Sequence, residues 1–314
     1  MIEKIDIDRS TPFRAYFMHL RPASWPTVAG HLLCGALIAD GFGAFALAGG
    51  NLWRTLMAAV IWALFLNGGT LALNSAVDQD EGDIGYLNNP PPIPPGLFLF
   101  GFIFMLIGLA ASWFMGVAFA IVYTICFVMS LLYSVPPIRL KARGGWDVII
   151  NMIGYGALTC LGGWLAVRPL PVGSDWLIFT GFAFLFAAVY PMTQFYQMEE
   201  DARSGARTLA LTLGESGSMF FIHVSLVLAN ASWIFAALGR WQGYSLMQAI
   251  PAPDTPPLGT TGWIFLIGQA VLWFAFSSHW WLTFRRRDHK KNFYRSMILW
   301  AISNVAMVIA FGKF

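Results

Sequence analysis

Charge is scarce in this sequence. Only 11% of its 314 residues are Asp, Glu, Lys or Arg, against roughly 25% in soluble domains. A soluble globular chain is thereby excluded, and the 57% hydrophobic content points to an integral membrane protein. Cysteine is nearly missing: Cys34, Cys126 and Cys160 lie in apolar stretches without paired spacing. Buried, inert thiols are expected, with no disulfide or zinc framework. No Gly-rich phosphate loop, nucleophile elbow, metal-binding His pair or nucleic-acid signature is present. His31, His223 and His279 stand alone in apolar runs, where a hydrogen-bonded packing role is expected. Residues 1–22 are polar and the first apolar run is followed by many more, so no cleavable signal peptide is expected.

What the chain does have is length in apolar runs. A membrane helix takes about 20 mostly apolar residues. By that rule nine spans fall near 23–42, 53–77, 96–115, 117–135, 147–167, 175–197, 217–238, 262–284 and 292–312. The tight juncture Met115-Gly116 makes the third and fourth a hairpin. From Thr11 to Arg21, Phe13, Phe17 and Leu20 share one face, which predicts a short helix lying in the interface. The Pro-rich run Asn88–Gly96 and the stretch Gln242–Gly262 read as non-helical connections. With the N-terminus in the cytoplasm, 15 of the 19 Lys and Arg fall inside and four outside, a strong positive-inside bias. The cluster Arg285–Lys291 reads as a topogenic anchor for lipid headgroups. The expectation is an all-α polytopic protein: residues 1–22 form a cytoplasmic N-terminal segment with the interfacial helix. Residues 23–314 form one nine-helix bundle with a cytoplasmic-side cap, in a bacterial or archaeal plasma membrane.

Polar residues inside the spans mark the chemistry. Asn67, Asn74 and Asp78 are seven and four apart, on one face of an otherwise apolar helix. Polar groups at that depth are costly unless they line a site. Asp78, Asp80, Glu81 and Asp83 then arrive within six residues, with no Lys or Arg between Arg54 and Arg139. The sixth span repeats the pattern: Tyr190, Gln194, Gln197 and Asp201 recur at helical spacing, beside Glu199 and Glu200. Spans two and six have the same parity, so both acidic ends face the same side. Helix C-termini are already negative, so such clusters call for a cation. Mg²⁺ suits them, because it takes a few carboxylates, water and phosphate oxygens.

The loop Tyr133–Gly145 carries Arg139, Lys141 and Arg143 at alternate positions on a Pro-stiffened stretch. Read as extended chain of period two, it would point all three cations one way, as a diphosphate clamp. Arg203 and Arg207 are weaker candidates of the same kind, and Asn151 and Tyr155, four apart on span five, are candidates for lining the site. Some of the 14 Trp and 27 Phe are available to shield a carbocation by cation–π contact.

These residues resemble the UbiA superfamily of intramembrane prenyltransferases, over most of the chain from Arg21-Pro22 through Gly214. Asn74 and Asp78 match the opening of its first Asp-rich motif, with Asp83 as the later Asp. Asn89–Gly96 is similar to its Pro-rich run, Tyr133–Lys141 to its loop after helix four, and Asp201–Ala210 to the end of its second motif. The chain departs from the pattern in Ser75 beside the first Asn, the longer spacing to Asp83, Pro91 in the Pro-rich run, and Gln194 and Gln197 in the second motif. The resemblance implies nine transmembrane helices and Mg²⁺-dependent transfer of an isoprenyl group from its diphosphate to an aromatic or other lipophilic acceptor. Metal ligands are then expected at Asn74, Asp78, Asp83, Glu199 and Asp201. Catalysis rests on Asp78, Asp201, Arg139 and Lys141, and substrate on Asn67, Asn74, Arg143, Asn151, Tyr155, Tyr190, Gln194, Gln197 and Arg207. The alternatives are an intramembrane terpene cyclase, in which an internal double bond attacks, and a non-catalytic prenyl-lipid-binding protein on the same scaffold.

Overall fold

A computed structural model describes residues 12–79, 84–85, 87, 89–203, 205–242, 257–286 and 288–314. Asp80, Glu81 and Asp83 lie outside the described residues, as does most of the connection expected at Gln242–Gly262. Among the described residues the secondary structure is helical, with only two isolated β-bridges.

An eight-residue helix, α1 (Pro12–His19), precedes the first span and occupies the stretch expected to lie in the interface. It is held against the Pro-rich run: Tyr16 donates its hydroxyl hydrogen to the Pro95 carbonyl, and His19 Nε2 bonds the Pro91 carbonyl at 3.1 Å. Phe13 and Phe17 are exposed, as an interfacial face requires. The spans then follow as α2 (Trp25–Asp40), α3 (Asn51–Val60) continued through a π-helical stretch Ile61–Gly68 into α4 (Gly69–Asp78), α5 (Leu97–Ser112) and α6 (Val117–Ser134). α7 (Trp146–Asn151) continues through a second π-helical stretch, Met152–Leu158, into α8 (Thr159–Val167). α9 (Trp176–Gln194), the short α10 (Met198–Arg203), α11 (Leu209–Gln242), α12 (Thr260–Leu282) and α13 (His289–Phe311) complete the order. Nine helical stretches among the described residues are long and apolar enough to cross a membrane.

Small residues let the helices approach, as expected where lipid supplies no hydrophobic drive between them. A Cβ on Gly35 would stand 1.8 Å from the Cys160 carbonyl oxygen, and one on Gly163 would stand 1.7 Å from that of Leu32. The backbones of α2 and α8 are therefore in direct contact. The three cysteines are buried and free, as their surroundings in sequence required. His31 is a packing residue, bonding Asn304 Oδ1 at 2.5 Å and the Gly156 carbonyl at 2.9 Å.

The expected start of span seven near residue 217 is eight residues late. α11 begins at Leu209 and bends at Gly214, whose φ of 65° and ψ of −175° break the helix geometry. A glycine tolerates that conformation without a side-chain clash. The first turns of α11 thereby meet the end of the bundle where α9 terminates and α7 begins.

Candidate functional site

At that end the helices enclose a cavity of about 450 Å³. α4 brings Asn74 and Asp78 to it, one helical turn apart, with Asn67 two turns deeper at the end of the π-helical stretch. The loop after α6 brings Arg139 and Lys141, α7 and its π-helical continuation bring Asn151 and Tyr155, and α9 brings Phe186, Tyr190 and Gln194. Gln197 and Asp201 also line it, as does Arg21 from just ahead of the first span.

The acidic and basic motifs meet directly. Arg139 Nη2 donates to Asp78 Oδ1 at 3.0 Å, and Lys141 Nζ pairs with Asp78 Oδ2. Lys141 also donates to Asn74 Oδ1 at 2.6 Å, where the Ser134 hydroxyl donates at 3.2 Å. These partners are more than 55 residues apart in sequence, so only the fold assembles them. Below them the wall is polar at one level and aromatic at the next. The hydroxyls of Tyr133 and Tyr190 share a hydrogen bond of 2.5 Å. Tyr155 donates to Asn67 Oδ1 at 2.8 Å, and Asn67 Nδ2 donates to Ser24 Oγ at 3.0 Å. Tyr155 stacks on Phe186 at 5.6 Å between centroids, and Phe186 meets Trp300 edge-on at 5.3 Å.

Several expected positions are elsewhere. Residues 140–142 form a 3₁₀ turn, not an extended strand, and Arg139 has a left-handed φ of 37°. The alternation of period two does not hold there, so Arg143 leaves the cavity and donates to the Pro137 carbonyl at 3.2 Å. Arg207 is exposed, and its backbone N–H bonds the Ala142 carbonyl at 3.1 Å. α9 ends at Gln194 and a turn separates it from α10, which resets the helical phase. Glu199 accordingly faces solvent, its side chain 91% exposed and paired with Arg203 at 3.3 Å. Asp83 falls outside the described residues. Gln194 reaches the cavity, but both ends of its amide are engaged. Nε2 donates to Asp147 Oδ2 at 2.6 Å, and Oε1 accepts the Ala210 N–H at 3.0 Å.

Three residues escaped the sequence reading. Asp147 is wholly buried, and Leu209 N–H also donates to its Oδ2 at 2.9 Å. Thr208 sits at the cavity edge with its hydroxyl buried and unpaired among the described residues. Arg21, assigned from sequence to the interfacial helix, is buried and donates to Ser75 Oγ at 3.0 Å. Ser75, beside Asn74, thereby accepts from the arginine. A signal for Arg21 was available in its place just ahead of the first span.

Hard oxygen donors suit Mg²⁺, and the cavity lining offers them from Asn74, Asp78 and Asp201. No group of three His, Cys, Asp or Glu side chains converges among the described residues. The remaining acids of the first motif adjoin Asp78 in sequence. The donor set present fits an ion that also takes water and phosphate oxygens.

The model of the UbiA prenyltransferase family matches residues 32–302. The chain is 23% identical over 231 residues to the bacteriochlorophyll synthase 34 kDa chain of Chloroflexus aurantiacus, covering 71% of each protein. Its fold is similar to that of a UbiA homolog from Archaeoglobus fulgidus bound to GPP and Mg²⁺. The TM-score is 0.67 at 17% identity, over 94% of this chain and 99% of that one. A structure of digeranylgeranylglyceryl phosphate synthase matches with a TM-score of 0.65 at 19% identity, over 96% of this chain and 98% of the other. With this match over most of its length, and with nine apolar helical stretches among the described residues, the chain belongs to the UbiA prenyltransferase family and is a multi-pass integral membrane prenyltransferase.

Proposed function

We propose that the protein transfers an isoprenyl group from an isoprenyl diphosphate to a lipophilic acceptor within the bilayer, with the site at the cytoplasmic end and Mg²⁺ as cofactor. The observation that carries this reading is one cavity with acids and cations at its rim and stacked aromatic rings below. Relatives bound to GPP or DMAPP with Mg²⁺ on the same fold support it. The positive-inside bias of the sequence supports the orientation.

Asp78 is neutralised by Arg139 and Lys141 in the described arrangement. A diphosphate would draw those two cations to itself, and the freed carboxylate of Asp78 would then join Asn74 and Asp201 in holding the metal. Bound Mg²⁺ supplies Lewis-acid neutralisation of the phosphate charge. Arg139 and Lys141 stabilise the negative charge that grows on the diphosphate as the allylic C–O bond breaks and the bonding pair leaves with it. Tyr155 and Phe186 present aromatic faces below the rim, where they keep water out and favour a cationic carbon. The acceptor then forms the new bond and loses a proton, giving prenylated product and free diphosphate. Asn151 is held by its bond to the Asp147 carbonyl at 2.7 Å and shapes the wall.

The test is turnover of geranyl and longer allylic diphosphates with phenolic and quinol acceptors, with products identified by mass spectrometry. Diphosphate release should require Mg²⁺, stop on chelation, and fall sharply in Asp78→Asn and Asp201→Asn. A hydrocarbon or terpenol as sole product would replace the transferase reading with a cyclase. Tight binding with no diphosphate release would replace it with a lipid-binding protein.

A further inference from the structure

Gln194 reaches the cavity wall, but its contact with Asp147 has no part in the proposed chemistry. Both side chains are at least nine-tenths buried. A single oxygen, Asp147 Oδ2, accepts from Gln194 Nε2 and from the Leu209 N–H, while Gln194 Oε1 accepts from the Ala210 N–H. The opening N–H groups of a helix have no partner within the helix. Here the first two of α11 are capped by side chains from α7 and α9. The amide orientation of Gln194 is dictated by this arrangement. Turned over, its NH₂ would meet the Ala210 N–H and its oxygen would meet a carboxylate.

The contact closes a ring of bonds around the second acidic motif. The Gln194 carbonyl accepts from Gln197 N at 3.0 Å, the Gln197 carbonyl from Asp201 N at 2.9 Å, and the Asp201 carbonyl from Ala206 N at 3.0 Å. Arg207 N then bonds the Ala142 carbonyl, next to Lys141, at 3.1 Å. Two residues on, Leu209 and Ala210 return the chain to Asp147 and to the Gln194 side chain. Asp201 is therefore suspended between a helix end and a loop whose far side is fixed by this pair.

We infer that Asp147 and Gln194 form a latch that sets the position of Asp201 at the cavity rim, and that they are positioning residues for metal and diphosphate binding. The inference rests on the proposed function, and it explains why residue 194 is an amide. A carboxylate there would face a second one across 2.6 Å, and like charges at that distance do not both ionise. The acid of this corner is supplied by Asp147 instead, and residue 194 gives the hydrogen between them.

The experiment compares wild type, Asp147→Asn, Gln194→Met and the double variant, purified in detergent. Each is assayed for Mg²⁺-dependent binding of geranyl diphosphate and for melting temperature, with Gly163→Ala as a destabilised control far from the site. Loss of outer-shell support typically costs 10–100-fold in metal affinity. Each single variant should raise the Mg²⁺ needed for half-maximal binding by about tenfold, and the double should be no worse than the singles. Gly163→Ala should melt lower yet bind as wild type. Singles that bind within twofold of wild type, or a double whose loss is the product of the singles, would overturn the latch. Should Asp147→Asn not fold, Gln194→Met carries the same comparison. Absence of Mg²⁺-dependent binding in wild type would instead remove the functional reading, and the positioning role with it.

Discussion

The two ends of this bundle use the same residue types for opposite purposes. At the end away from the cavity, Arg240 donates to Asp175 Oδ1 at 2.8 Å and to the Phe311 carbonyl at 2.8 Å, with side-chain exposures of 1% and 2% for the ion pair. Arg168 pairs with Asp40, and Arg54 donates to the carbonyls of Ala166 at 2.8 Å and Met115 at 2.6 Å. Those charges tie helix ends together, and the Arg240–Asp175 pair is closed off from solvent. At the cavity end Arg139, Lys141 and Asp78 also pair, but all three line open volume. A closed pair contributes to the fold; a pair at a cavity rim can be exchanged for a ligand. The difference lies in what surrounds the charges, since their identities are the same.

The comparison can be broken from either side. Arg240→Met should cost the most, about 3–5 kcal/mol of stability, because it leaves the Asp175 charge buried without its partner. Its turnover per folded molecule should match wild type, and chemical or thermal unfolding with parallel assays would check both. Asp78→Asn should reverse that profile: turnover falls about 10²–10³-fold, in line with removal of a group acting on the transition state, while the melting temperature holds. If Asp78→Asn instead unfolds the protein at normal specific activity, the two ends do not differ as described. Gly163→Ala places a methyl against the Leu32 carbonyl and should cost about 1–3 kcal/mol, as overpacking does, read in the same melts. Tyr155→Phe should cost about 1 kcal/mol or less through the lost bond to Asn67. It keeps the aromatic face, so diphosphate release should change only a few-fold.

Much of the fold was legible because hydrophobic length is written locally. Each span needs its own run of apolar residues, and the Met115-Gly116 juncture was readable as a hairpin for the same reason. The polar face Asn67–Asn74–Asp78 was legible because helical spacing in an apolar run admits few interpretations. Local period failed where the chain leaves regular structure. Arg143 was misplaced because a 3₁₀ turn replaced the extended loop, and Glu199 because the turn after Gln194 reset the phase. Asp147 had no signal at all. It is one acid near the start of a helix, and its partners lie 47 and 62 residues away.

Composition and spacing by themselves determined that this chain is a polytopic helical membrane protein and that Asn67, Asn74 and Asp78 share one helix face. The first follows from transfer of side chains into lipid, which each segment satisfies on its own. Only the tertiary structure decided which charges meet. It joined Lys141 to Asp78, turned Arg143 away, and gave Gln194 to Asp147, because a hydrogen bond depends on distances of a few ångströms that sequence separation does not record.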